Sequence, residues 1–358
     1  MASLIAGNTR PVRLADIAKA AGVSHGTASN VFSRPEIVRE EVRERVKAMA
    51  EKMGYAGPDP KGRLLRAGKV NAIGVCTTEP LSYFFDDPFA RVMMAGISQA
   101  CDATGAGIAL VSAQNDEKLA WNIQSALVDG FVLFCIEGGP RLVELTRERR
   151  LPFVALAIGF DDDTISMIGI DNIAGSRLAA RHLGELGHRR FAVLSLPFVD
   201  NSTGLVTPER LGTAIYTATR DRLAGYFGEL SRFGIDTSKV PVYETENDEA
   251  STRAGLEAIF AGAEPPSAIL AMSDRMAIAA IDWLTERGLN VPGDVSVIGF
   301  DGVPDGARCA PPLTTIAQPI DEIGRRAARM ILDFDGAVRR ETLDVKLVVR
   351  ASTGPAKA

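Results

Sequence analysis

From residue 70 onward the chain alternates short apolar, β-rich runs with longer stretches of helical periodicity. That alternation narrows the possible folds more than any other feature. The runs fall at residues 72–76, 107–111, 131–136, 153–158, 167–170, 191–196, 268–272 and 295–300, with helical patterns such as 89–103, 117–127, 172–186 and 275–287 between most of them. Such units build parallel sheets covered by helices on both faces. The segment is too long for one sheet of ordinary size, so two similar halves are expected. Ligands in open α/β sheets bind beyond the carboxyl ends of the strands, so facing halves would enclose a cleft.

A different pattern precedes this body. Residues 1–70 hold 13 Lys+Arg against 7 Asp+Glu, a net of +6, whereas the remainder carries 27 against 38, a net of −11. A basic head on an acidic body attracts phosphate at one end only. Within the head, Leu14, Ile17, Ala18 and Ala21 lie on one helical face. Gly22 breaks that pattern, and Ser24 is placed to cap a second helix to about Phe32, with Ala28, Val31 and Phe32 inward and His25, Gly26, Thr27, Ser29 and Asn30 outward. A third helix from about Glu40 to Met53 carries Val42, Val46, Met49 and Met53. Two helices joined by a tight turn and braced by a third form a helix-turn-helix unit. Its second helix, faced with small polar residues, suits the major groove of double-stranded DNA; a three-helix cap with a polar surface has the same spacing.

Several chemistries are excluded. Gly22-Val23-Ser24-His25-Gly26 matches G-x-S-x-G, but a helix precedes it where a nucleophile elbow needs a strand. No glycine fingerprint for a dinucleotide follows the first strand, and Gly62 to Lys69 misses the P-loop spacing. The three histidines and four cysteines show no metal-ligand spacing. No catalytic residue, metal or cofactor is therefore expected. With no apolar run long enough to span a bilayer and no signal-like start, a cytoplasmic protein without a membrane partner is expected.

Arg13-Leu14-Ala15-Asp16-Ile17-Ala18, Ala21-Gly22-Val23-Ser24, Thr27-Ala28-Ser29 and Met53-Gly54-Tyr55 together resemble the DNA-binding head of the LacI/GalR family of bacterial transcriptional regulators. The body resembles that family's periplasmic-binding-protein-like core, through Asp87-Pro88-Phe89, Gly187-His188-Arg189-Arg190, Arg222-Leu223-Ala224-Gly225-Tyr226, Ser273-Asp274-Arg275-Met276-Ala277, Val297-Ile298-Gly299-Phe300-Asp301 and Pro312-Leu313-Thr314-Thr315-Ile316. The resemblance covers nearly the whole chain in the expected order. It implies a helix-turn-helix domain at 10–56, a hinge at 57–69 and an effector-binding and dimerisation core at 70–352. Subdomain one is expected at about 70–169 with 318–341, and subdomain two at about 170–317 with 342–352.

The resemblance also assigns roles. Ser24, His25, Gly26, Thr27 and Asn30 fall on the operator-reading helix and its cap, and Arg13 on the arm before it. Arg63 and Leu65 fall in the hinge, where a leucine among basic residues suits a minor-groove wedge. Arg222, Asp274 and Asp301 would grip an effector's hydroxyls, because carboxylates accept those protons and the guanidinium donates in a fixed fork. Asp87, Phe89 and Phe84 would line the same cleft. Local alternatives stand beside these roles: Phe85 and Phe89 as core, Asp274 as a helix cap, Asp301 as a turn cap and Arg222 paired with Asp221.

The chain also departs from the family's pattern. Asn30 stands where Arg is usual, which moves bidentate readout from guanine toward adenine. Ala157, Ile158, Phe134 and Cys135 replace polar residues at strand ends, which suits an effector less polar than a simple sugar. Residues 197–220 form a longer connection than usual. The expected protein is a homodimer without a leucine tail for tetramerisation. It would bind a pseudo-palindromic operator as a repressor and answer to a small-molecule effector, a sugar or related metabolite, bound between the two core subdomains. The alternatives are a repressor that ignores small molecules and an α/β enzyme with a DNA-binding head.

Overall fold

The computed structural model describes residues 12–55, 57, 69–114, 116–134, 140–156, 162–199 and 202–357. The hinge positions Arg63 and Leu65, and the strand-end positions Cys135, Ala157 and Ile158, lie outside the described residues. The chain divides into two compact units, Met1–Val70 and Asn71–Ala358.

The first unit holds α1 (Leu14–Ala20), α2 (His25–Ser33) and α3 (Glu40–Lys52). Ile17, Ala18, Ala21, Ala28, Val31, Val46 and Ala50 are buried together, one face from each helix. The turn between α1 and α2 passes through Gly22 at φ +67°, a left-handed conformation that glycine adopts without a Cβ clash. Ser24 then caps α2, its Oγ accepting from the Thr27 amide at 3.0 Å.

In the second unit, β1 (Ala72–Thr77), β2 (Gly107–Ser112), β3 (Phe131–Phe134), β4 (Phe153–Ala155), β5 (Ser166–Ile170) and β12 (Arg340–Leu343) form one sheet in the order β12-β5-β4-β3-β1-β2, all parallel. A second sheet contains β6 (Phe191–Ser195), β7 (Gly204–Leu205), β8 (Val242–Glu244), β9 (Ala268–Ala271), β10 (Ser296–Asp301), β11 (Thr314–Ala317) and β13 (Lys346–Val348), in the order β13-β11-β10-β9-β6-β8-β7. Its edge strands β7 and β13 run antiparallel to their neighbours. Alternate residues of β1 and β3 enter different cores: Ile73, Val75, Val132 and Phe134 face one way, Cys76, Phe131 and Leu133 the other. Strands buried on both faces read as continuous apolar runs, which is why the sequence reveals them.

Helices α4 (Tyr83–Asp86), α5 (Pro88–Thr104), α6 (Asp116–Ser125), α7 (Pro140–Glu148) and α12 (Ile320–Leu332) belong with the first sheet. Helices α8 (Asn172–Glu185), α9 (Thr217–Arg232), α10 (Glu249–Phe260) and α11 (Asp274–Glu286) belong with the second. The chain passes between the sheets after β5, after β11 and between β12 and β13. Two helix pairs approach closely, α5 with α12 and α8 with α9. A Cβ on Gly96 or Gly324 would run into the facing helix backbone of the first pair.

The C-terminal segment is tied down by His188. Its Nε2 lies 3.1 Å from the Gly354 carbonyl and 3.0 Å from Ser296 Oγ, and its Nδ1 lies 3.0 Å from Ser267 Oγ. Burial pushes this imidazole below its ordinary value. The unfolded chain therefore binds the proton more readily, so stability held at neutral pH is lost as pH falls below about 6.5. We expect His188→Gln to flatten that acid-side slope in calorimetric melting of the full chain; equal slopes in variant and wild type would show that His188 does not titrate on unfolding.

Candidate functional sites

The first site is the outer face of α2. His25 and Gly26 are exposed, while Thr27, Ser29 and Asn30 are half-buried. The Ser24 and Thr27 hydroxyls lie 2.9 Å apart, so these two side chains are already engaged with one another at the helix start. The first turn of α2 contains no acidic residue, and its amides and positive dipole end suit a phosphate. Arg13 is exposed just before α1, its amide donating to Asp16 Oδ2 at 2.9 Å. This face presents donors and small side chains without a bulky apolar residue, as groove contact requires.

The second site lies where the carboxyl ends of the two sheets meet. Asp87 caps α5, its Oδ1 accepting from the Phe89 and Ala90 amides at 2.9 and 3.1 Å. Its other oxygen faces subdomain two, 3.6 Å from Arg275 Nη1 and 3.5 Å from Asn247 Nδ2. Arg222 is buried across the second sheet's end. Its Nε donates to Asn172 Oδ1 at 2.9 Å, Nη1 donates to the Met272 carbonyl, and Nη1 lies 3.7 Å from Asp301 Oδ1. Its guanidinium also stacks 3.7 Å over the Phe300 ring, a desolvated cation–π contact. Asp301 sits at φ +130°, which is uncommon for a residue with a Cβ and typical of ligand sites when it occurs. Its Oδ1 accepts from Gln318 Nε2 at 2.7 Å.

The carboxylates are under strong electrostatic pressure. Burial raises the Asp301 carboxyl well above its ordinary value against the pull of Arg222, and nearby Asp274 and Asp87 raise it further. Asp87 is raised chiefly by burial, with Arg275 and two amides opposing. Asp274 is pushed up to about 6, again by burial first. Two of these carboxylates, Asp87 and Asp301, face the Arg275 and Arg222 guanidiniums, a set of acceptors and donors that suits a ligand's hydroxyl groups.

The structure does not bring every sequence-read residue to the surface of this cleft. Asp274 is 0% exposed. Its Oδ2 accepts from the Gly302 and Val303 amides, both at 2.8 Å, and its Oδ1 accepts from Thr315 Oγ1 at 2.5 Å. Nor is it the helix cap, since Ser273 Oγ takes the Met276 amide at 3.1 Å. Phe84 is 3% exposed, packed edge-on against Phe134 inside subdomain one. Its neighbour Phe85 is 65% exposed and is not core. Phe89 is half-buried and its ring centroid lies 6.0 Å from that of Phe134. Arg222 does not pair with Asp221, which meets Arg220 at 3.2 Å.

Sequence reasoning missed Asn172, Asn247, Arg275, Phe300 and Gln318. Each follows or ends a strand on the carboxyl side, the one signal that marks it. The long connection after β6 is pinned by Glu244, whose Oε1 accepts from the Phe198 amide at 2.7 Å and Oε2 from Arg210 Nη2 at 2.7 Å. Among the described residues there is no cluster of His, Cys, Asp and Glu suited to a metal ion, and no helix long and apolar enough to cross a membrane.

Residues 13–57 match the family model "Bacterial regulatory proteins, lacI family", and residues 180–353 match "Periplasmic binding protein-like domain". An HTH-type transcriptional regulator of Mycobacterium tuberculosis is 36% identical over 354 residues, covering 97% of this chain and 98% of the relative. Among solved structures, the lac repressor dimer bound to operator and the anti-inducer ONPF superposes with a TM-score of 0.74 at 26% identity, covering 96% of this chain and 100% of that one. The transcriptional regulator CelR in complex with cellobiose superposes at 0.69 and 27% identity, with the same coverage.

Proposed function

The chain belongs to the lacI family of bacterial regulatory proteins, and from that premise we propose that it is a homodimeric repressor whose hold on a pseudo-palindromic operator is controlled by a small hydroxylated metabolite held between the core subdomains. It is a DNA-binding transcriptional regulator and not an enzyme. Two heads related by a two-fold axis would read half-sites about one helical turn apart. His25, Gly26, Thr27 and Asn30 would meet base edges, with Arg13, Ser24 and the hinge residues Arg63 and Leu65 completing the contact. A dimer is supported by the similarity to the lac repressor dimer.

The observation that carries the effector reading is the convergence of charged side chains from both subdomains. Asp87 of subdomain one faces Arg275 and Asn247 of subdomain two, beside the buried Arg222–Asp301 pair. A ligand that engages both sides changes how the subdomains sit, and can shift that equilibrium only by its differential affinity for the two arrangements. The similarity to a cellobiose-bound regulator supports a polyhydroxylated effector. The half-buried Phe89, beside Asp87, supports an apolar portion on it as well.

Thermal melting of the full chain with cellobiose and a panel of other sugars and polyols tests this. An effector at 100 times its Kd stabilises the core by about 2.7 kcal/mol, seen as a rise in Tm. If no member of a broad metabolite panel raises Tm, the chain is a repressor that ignores small molecules.

A further inference from the structure

Asp274, which the sequence reading places among the effector contacts, spends its carboxylate on the turn that leaves β10, and that turn reaches the other subdomain. We propose that residues 301–305 form a latch carrying effector occupancy from the cleft into subdomain one, with Asp274 as the positioning residue that fixes the latch at its base. The proposal rests on the effector reading above.

The segment has three functional parts within five residues. Asp301, at its start, faces the cleft through Arg222 and Gln318. Gly302 and Val303 donate their amides to one oxygen of Asp274, and Thr315 holds the other oxygen. Gly302 adopts φ +80° and passes so close to β11 that a Cβ would lie 2.6 Å from Ala317 Cβ. The Val303 side chain then enters the subdomain one core, buried with Ile73, Phe84, Ala90 and Ile320. At its far end, Asp305 lies 3.6 Å from Arg91 on α5. Asp301 is also tied to the segment that leaves β11 for subdomain one, since the Gln318 amide donates to its carbonyl at 3.0 Å.

Movement of Asp301 is therefore transmitted over two residues to a side chain buried in the opposite subdomain. A packed apolar side chain has discrete arrangements and transmits strain. Asp274 makes the transmission stiff: a carboxylate accepting three hydrogen bonds in a buried site fixes both peptide groups.

Amide hydrogen exchange on the ligand-free full chain tests the latch, comparing wild type with Asp274→Asn and Val303→Ala. Asn puts a neutral oxygen in place of the charged one that takes both amides, which roughly halves the strength of those bonds, so the Gly302 and Val303 amides are expected to exchange roughly tenfold faster. The decisive region is α5, across the cleft. If the latch holds, both variants speed exchange there around Ala90 and Arg91, while α10, in Asp274's own subdomain, keeps its wild-type rates. A residue that merely stabilises subdomain two gives the reverse pattern, faster exchange in α10 and none in α5, and that result overturns the proposal. Should Asp274→Asn fail to fold, Thr315→Val decides in its place, because it loosens the Asp274 carboxylate and leaves the Val303 packing intact. No effector is used, so this outcome stands apart from the melting screen: a blank screen sinks the effector reading, and an unchanged α5 sinks the latch.

Discussion

Ile17→Ala is expected to abolish operator binding while the α/β core stays folded. Ile17 is fully buried in the small head cluster that also holds Ala28, Val31 and Val46. Truncating a buried isoleucine costs about 2–5 kcal/mol. A unit of this size holds only a few kcal/mol in total, because so small a domain buries little of its surface. The cost therefore matches or exceeds what keeps the three helices together, and α2 loses the support that aims it at DNA. Ile17→Val removes one methylene at about 0.5–1.5 kcal/mol and should leave binding weakened but measurable. Fluorescence anisotropy with operator DNA reads the loss, and calorimetry reads the surviving core transition. Wild-type affinity in Ile17→Ala would mean that the head draws its stability from elsewhere.

Arg222→Leu is expected to remove the response to effector altogether and to destabilise the core by about 3–5 kcal/mol, the cost of leaving a buried charge without its partner. Here the stranded group is Asp301, already pressed by Asp274 and Asp87. Arg222→Lys separates the two effects. Lysine keeps the charge, but one ammonium cannot serve Asn172, the Met272 carbonyl, Asp301 and the Phe300 face together, as the guanidinium does. Losing one charged hydrogen bond of roughly 1.5–3 kcal/mol raises the effector concentration needed for half-maximal response by about tenfold or more. Operator affinity without effector should be unchanged. The measurement is a titration of the operator complex with the metabolite that dissociates or tightens the wild-type complex. A wild-type midpoint in Arg222→Lys would remove Arg222 from the effector site.

What the sequence discloses follows from how local each signal is. The head is legible because its helices bury one face at a 3.6-residue period and because Ser24 marks the start of α2. The central strands are legible because burial on both faces leaves uninterrupted runs such as Phe131–Phe134. The edge strand β12 reads Arg-Glu-Thr-Leu, pairs on one side only, and gives no such run. Adjacent aromatics cannot be told apart by type: Phe84 is core and Phe85 is solvent-facing because of where α4 sits on the sheet. Ser273 and Asp274 are both good caps, and only the long-range approach of Thr315 and the 302–303 turn shows which one caps. Gln318 and Arg275 are invisible for the same reason, since their partners lie 17 and 188 residues away in sequence.

Sequence-specific DNA binding by this family regulator is read in the anisotropy of the full chain on DNA from upstream of its own gene, beside a scrambled duplex, at two salt concentrations. The expected result is tight binding to the native duplex, roughly 10³-fold or more over the scramble, with a preference that persists at the higher salt. Weak, equal and steeply salt-dependent binding to both duplexes, unchanged by any metabolite that stabilises the core, would contradict it.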